Sequence, residues 1–597
     1  MGLGKTLTIL AYLKQLKDEK NHDDSSDDEE ATIIDENNNE IKSESEEDEV
    51  DFSNFSNINV EKLTKRIFQN TSKIKKHISN RLKTLIVLPA SLLHQWQTEI
   101  KTRFEKNSFR YEVYHGPDRK ELTKSQLEQC DIVFTTYEIV SREADELGKG
   151  TVSLSKSPIA RIEWTRIICD EGHRIKNSSS ISNQAMCSLK AKYRIVITGT
   201  PIHNSMCDLY SLLKFINLYP LNDKSLFTYL FPSNKKTACT VEEERRTNCW
   251  IHFLSSFLLL RRTKLDKIKG TDKNIVDLPK KSVELIKFDL IEPERYIYDQ
   301  IFKESKEKVK TLLINQRSNQ FYKNSYGEVN FSDVLVYILR LRQSCCHMNL
   351  IHQVVDMDHL KNLQDEFIEL LDDEKTIPSS SSSSSHSNRT RFKSLRSIEE
   401  NPELAICFKE THLSSKFKIM MEKLDKILDE HPNDKIIIVS QWTSVLKIMA
   451  NNLRENSVEF CEINGQVDLF ERNRIVEYFN EKKHMDIRVM LLSLCAGGVG
   501  LNLIGANHMF LFDIHWNPAL ESQASDRIYR VGQTKDVKIY KFLCQNTIEE
   551  SIYQVQLKKI DLAERFVNAK ASNIPGMASA GNARLTVQDL RMLFELI

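Results

Sequence analysis

The residues best suited to chemistry open the chain. Gly2-Leu3-Gly4-Lys5-Thr6 runs directly into an apolar helical pattern over residues 7–16. A glycine-rich turn at a helix start presents backbone N–H groups to phosphate oxygens. Lys5 would then reach the outer phosphates and the Thr6 hydroxyl would bind Mg²⁺. The full loop pattern asks for a glycine four residues before Gly4, with a strand before that. Both would precede Met1, so the first lobe is expected to be N-terminally truncated. The same start, Met1-Gly2 with Thr6, also fits an N-myristoylation pattern, but nothing downstream needs a lipid anchor, and the phosphate loop is the favoured reading.

Two further clusters complete a nucleotide-hydrolysing set. An apolar run ends in Asp170-Glu171-Gly172-His173. Asp170 at a strand end can hold Mg²⁺, and Glu171 can orient and deprotonate an attacking water. Far along the chain, Gln523 leads into Asp526-Arg527-Ile528-Tyr529-Arg530. Arg527 and Arg530, three apart, would share a helix face, and two guanidinium groups aimed into a cleft can neutralise charge on a transferring phosphoryl group. Between these clusters, Thr198-Gly199-Thr200-Pro201 forms a tight turn after another apolar run. Taken singly, each has a plain structural reading: a charged turn, a strand-to-helix turn, a solvated basic face. Together they fall in one order, each at the edge of an expected strand or helix.

The elements that must position these residues are short, continuous apolar runs at residues 84–89, 131–136, 166–170 and 194–198, then at 435–440, 488–493 and 508–514. Continuous rather than alternating runs fit parallel sheets covered on both faces, and amphipathic stretches separate them as in strand–helix–strand units. The expected fold class is α/β, with two RecA-like P-loop lobes built on parallel sheets, helical insertions and a C-terminal helical tail. The expected division gives residues 1–17 and 81–204 to the first lobe and 18–80 to an acidic disordered insertion. Residues 205–413 are expected as helical insertions and a linker with a Ser-rich tract, 414–548 as the second lobe, and 549–597 as the tail. In such sheets, ligands bind at the carboxyl ends of the strands, where the clusters above stand.

Composition agrees with this. Across 597 residues, 84 basic and 84 acidic side chains cancel, yet residues 23–51 alone hold 15 acidic residues and one lysine. The rest of the chain is therefore basic, which is compatible with nucleic-acid binding. No apolar run reaches the ~18 residues of a membrane span, and the start does not resemble a secretory signal; the expectation is an intracellular protein with no membrane association. The 12 cysteines include no Cys-x-x-Cys pair, so no zinc site is expected.

These motifs resemble a known family, the Swi/Snf-type helicase-like ATPases of superfamily 2. Residues 2–6 resemble its motif I, residues 85–96 (LIVLPASLLHQW) motif Ia and residues 133–137 (VFTTY) motif Ib. Residues 170–173 (DEGH) resemble motif II and 198–204 (TGTPIHN) motif III. Residues 439–442 (VSQW), 491–503 (LLSLCAGGVGLNL) and 523–533 resemble motifs IV, V and VI. Within the family, residues 339–347 (LRLRQSCCH), 440–447 (SQWTSVLK) and the C-terminal end resemble the transcription termination factor 2 and lodestar branch. Relatives with a RING domain between the lobes are disfavoured, because residues 205–435 lack its paired cysteines.

The resemblance implies ATP and Mg²⁺ as ligands and a DNA-dependent ATPase that tracks along double-stranded DNA. Gly2, Gly4, Lys5, Thr6 and Asp170 would bind nucleotide and metal; Glu171, Gln523, Arg527 and Arg530 would serve hydrolysis. Non-specific tracking needs phosphate contacts, for which the candidates are Ser91, Thr135, Thr136, Gln441, Trp442, Gly497 and Gly498. The branch implies release of RNA polymerase II transcripts, with RNA polymerase II elongation complexes as partners, and a nuclear location with a cytoplasmic pool allowed. Two other readings share these motifs. One is a nucleotide-incompetent, truncated fragment that binds DNA or a partner. The other is a strand-separating RNA helicase of the same superfamily, which DEGH, VSQW and the GVGLNL segment disfavour.

Overall fold

The computed structural model describes residues 4–23, 82–146, 152–153, 157–199, 206–231, parts of 247–268, 270–317, 331–352, 398, 400–481, 485–497, 500–567 and 593–594. Most of the expected acidic insertion, the Ser-rich tract, residues 200–204 of the motif III segment, Gly2 and Gly498 lie outside these. The chain divides into two compact units, the first essentially residues 4–259 and the second essentially residues 260–565.

In the first unit, five strands form one parallel sheet: β1 (Thr84–Leu88), β2 (Tyr111–Val113), β3 (Ile132–Thr136), β6 (Trp164–Asp170) and β7 (Ala191–Ile197). A separate two-stranded ribbon consists of β4 (Asp145–Glu146) and β5 (Val152–Ser153). The order across the main sheet is β2-β3-β1-β6-β7. Every residue of β1, β3 and β6 is buried, as continuous apolar runs require. The chain runs from β1 out to the edge at β2, returns to β3 beside β1, then crosses to β6 on β1's other side. This reversal opens a crevice at the carboxyl ends of β1 and β6, where Ser91 and the pair Asp170-Glu171 follow. The helix Lys5–Asp23 joins this unit through Leu10 and Leu13, both fully buried. Lys17 anchors its far half, donating to Asp131 Oδ2 at 2.7 Å and Ser108 O at 2.9 Å.

The second unit holds six parallel strands: β8 (Lys281–Phe288), β9 (Ile436–Ser440), β10 (Phe460–Ile463), β11 (Val489–Ser493), β12 (His508–Leu511) and β13 (Val537–Cys544), in the order β10-β11-β9-β12-β13-β8. Here the reversal lies between β9 and β12, with Gln441 and Asp513 just past their ends. The segment between the lobes, expected as helical insertions and a linker, also contributes a strand. Its residues 281–288 pair along their whole length with β13 as the edge strand of this sheet. The helices Glu292–Arg317 and Phe331–Cys346 then pack into the same core as β12 and β13. Among the described residues, no helix is long and apolar enough to cross a membrane.

Candidate nucleotide and phosphate-contact sites

At the start of the first unit, Gly4 has φ +72°, a left-handed turn that suits glycine, and the 19-residue helix begins at Lys5. A first turn here leaves backbone N–H groups without helical partners and carries positive partial charge. The Lys5 Nζ atom is buried and makes no hydrogen bond among the described residues. A buried ammonium without an acceptor is costly, and a phosphate oxygen is the acceptor such a helix start attracts.

Asp170 is the group that feels this ammonium. The residue is 6% exposed. Trp96 Nε1 donates to its Oδ2 at 2.9 Å and the Glu171 backbone N–H to its Oδ1 at 2.9 Å. Tyr137 Oη donates to its carbonyl oxygen at 2.7 Å. Burial raises the Asp170 pKa above the ordinary carboxylate value, and the neighbouring Glu171 adds to this; Trp96 and the Lys5 charge pull the other way. A cation at Asp170 would favour its charged form, so this donor set fits Mg²⁺. Glu171 is held in the left-handed region, at φ +50° and ψ +51°, and its carboxylate lies 3.3 Å from His173 Nδ1. The next residue must be glycine: a Cβ at Gly172 would stand 2.2 Å from Val196 Cγ1. Strand β7 thus presses on the turn that presents Glu171.

In the second unit, Gln523 and Arg527 stand on the helix Pro518–Ile528, Gln523 buried and Arg527 half-buried. Arg530 does not share that helix face, contrary to the spacing argument, because the helix ends at Ile528 and Tyr529 caps it. Arg530 is instead carried on the turn beyond. Gln533 fixes that turn. Its backbone N–H donates to Arg530 O at 3.0 Å, and its side-chain amide donates to the carbonyls of Ala506, Ile528 and Ile504 at 2.8, 3.2 and 3.3 Å.

The expected DNA-contact residues separate into two groups. Ser91 is partly exposed on a short helical turn after β1, and Gly497 closes the short helix Leu494–Gly497 after β11. The side chains of Thr135, Thr136, Gln441 and Trp442 are turned inward. Thr135 Oγ1 donates to Tyr114 O at 3.0 Å, and Thr136 Oγ1 accepts from Ile139 N to cap the helix Tyr137–Arg142. Gln441 is 4% exposed; its amide donates to Asp513 and its carbonyl accepts from Arg342 Nη2 at 2.9 Å. Arg342 lies within cation–π range of two indoles, 5.6 Å from Trp442 and 5.5 Å from Trp516. Burial alone does not mark Arg342 in a sequence; its place in the LRLRQSCCH stretch was the available signal. Among the described residues, no cluster of three metal-ligating side chains occurs, and the described cysteines are free thiols.

A helix start carrying Gly4, Lys5 and Thr6, adjacent carboxylates at the end of β6 and parallel sheets are parts that a nucleotide-binding ATPase core would need, and comparison with known proteins specifies the group. The SNF2-related domain matches residues 1–350 and the helicase conserved C-terminal domain residues 419–532; the chain belongs to the SNF2-related family. It is 35% identical to transcription termination factor 2 of Drosophila melanogaster over 100% of this chain and 56% of that protein. It is 30% identical to the helicase-like transcription factor of Mus musculus over 86% of this chain and 53% of that one. The chain therefore spans about half the length of the curated relatives it matches. Among solved structures, the Sulfolobus solfataricus SWI2/SNF2 ATPase core in complex with dsDNA aligns over 89% of this chain and 90% of that chain, with 25% identity and a TM-score of 0.33.

Proposed function

We propose that this chain is the ATP-hydrolysing motor of a double-stranded DNA translocase. The observation that carries the reading is the buried Lys5 ammonium at a helix start, without an acceptor among the described residues, beside the buried carboxylate of Asp170. Gly4, Lys5 and the first N–H groups of the helix would hold the phosphates of ATP. Thr6 and Asp170 would hold Mg²⁺, which when bound neutralises charge on the phosphates. Glu171, fixed by its left-handed backbone and by the tight fit at Gly172, would orient the attacking water and take its proton. Arg527 and Arg530 would face the charge that develops during transfer.

For DNA, Ser91 and the backbone around Gly497 would contact phosphates, while Thr135, Thr136, Gln441 and Trp442 would hold their loops in shape. The process we propose is release of RNA polymerase II transcripts in the nucleus, supported by the 35% identity between the whole of this chain and about half of a relative named as a termination factor. Fluorescent-nucleotide titration tests the site. Lys5→Ala should weaken ATP binding at least about tenfold, since a charge-assisted contact to phosphate contributes roughly 1.5–3 kcal/mol, while leaving duplex-DNA binding intact. Equal nucleotide affinity in wild type and variant would end this assignment.

A further inference from the structure

Lys264 stands four residues past Leu260, where the second compact unit begins. Its Nζ donates to Asp526 Oδ1 at 2.8 Å and to the Tyr529 carbonyl at 2.6 Å, and lies 4.5 Å from the Tyr529 ring centroid. The pair is well shielded, with Lys264 and Asp526 side chains 12% and 14% exposed. Each contact is made by the residue just before an arginine, Asp526 before Arg527 and Tyr529 before Arg530. A lysine at a helix C-terminus also offsets the partial negative charge of the last carbonyls. On the other side, Leu503 N donates to Arg527 O at 3.1 Å, and Gln533 holds Arg530 and Ile528. The end of the helix is thus clamped twice: by Leu503 and Gln533, and by a lysine some 260 residues earlier in the chain.

We infer that Lys264 is a positioning residue for Arg527 and Arg530, tying the chain segment that enters the second unit to the helix end that carries both guanidinium groups. The inference rests on the ATPase reading above. A displacement of the arginines by even ~1 Å is enough to cost about 100-fold in turnover. ATP binding should be spared, because Lys5, Asp170 and Glu171 belong to the other unit.

The test uses the full chain, with Lys264→Met, Lys264→Arg, Asp526→Asn and the double variant Lys264→Met/Asp526→Asn. Duplex-stimulated ATPase is measured alongside hydrogen exchange across residues 518–533. Lys264→Met should lower kcat by about 10- to 100-fold with the ATP KM within about twofold. Lys264→Arg, which keeps the charge and donors, should recover most of the loss. The double variant should be no slower than Lys264→Met, as expected for partners in one interaction. Exchange should quicken over 518–533 alone. Unchanged kcat in Lys264→Met, unchanged exchange over that segment, or faster exchange spread through the whole second unit would each overturn the inference. If wild type shows no turnover, the ATPase reading fails, and the exchange measurement still decides whether Lys264 holds the helix end.

Discussion

Glu171, the proposed base, also sits in a strained backbone conformation. A non-glycine residue in the left-handed region costs roughly 1–2 kcal/mol, and Glu171 sits there at φ +50°. Such strain is retained where the surrounding structure enforces it; here the enforcement comes from the bond between the Glu171 N–H and Asp170 and from Val196 packed over Gly172. Glu171→Gly and Glu171→Ala both remove the carboxylate and differ only in the Cβ. The glycine variant should therefore be the more stable by about 1 kcal/mol, read as a higher urea midpoint for the first unit. Equal midpoints would mean that the turn relaxes at no cost. The carboxylate pair was legible in the sequence because two acids after an apolar run are unusual. The left-handed turn was not, since Glu171 gives no local signal of the backbone it adopts.

At the scale of elements, the fully buried strands were the legible ones. β1, β3, β6, β9, β11 and β12 all read as continuous apolar runs, because both their faces are covered. β7, an edge strand, also read as an apolar run at residues 194–198; the other edge and half-exposed strands escaped. β8 shows only Phe288 fully buried along eight residues, so its lysines and glutamate imitate an amphipathic helix. β13 carries lysines at positions 538 and 541, and β2 and β10 are only three and four residues long. Polar residues after strands were legible as loop residues, but their direction was not. Thr136 reads as a phosphate-contact candidate, and its side-chain oxygen caps a helix. Loss of an N-cap costs about 1 kcal/mol. Thr136→Ala should thus lower the stability of the first unit by about that amount while duplex-DNA affinity changes less than twofold. A large drop in DNA affinity with unaltered stability would restore Thr136 as a direct contact.

At the scale of the whole molecule, the second unit carries buried histidines that set a pH limit. His347 is fully buried; its Nδ1 accepts from Asn349 N at 3.1 Å and its Nε2 lies 2.8 Å from His412 O, an arrangement that suits the neutral ring. Burial lowers its pKa, against the opposing effect of the bond to His412. His508 is lowered chiefly by burial as well, despite Asp434 beside it. A lowered folded pKa means that the unfolded chain binds protons more readily. The stabilisation is therefore complete above the unfolded value of about 6.5 and is lost as pH falls through the folded values. Melting of the second unit should move to lower temperature between pH 7.5 and 5.5, and His347→Gln should flatten that slope. An unchanged slope would remove His347 as its source. The central claim, however, concerns catalysis by the assembled chain. The most direct measurement is the rate of ATP hydrolysis with no nucleic acid, with duplex DNA and with RNA, on wild type and on Glu171→Gln. The account predicts turnover stimulated by duplex DNA well beyond RNA, and its loss by at least about 100-fold in Glu171→Gln. Turnover indifferent to DNA, or retained in Glu171→Gln, would contradict it.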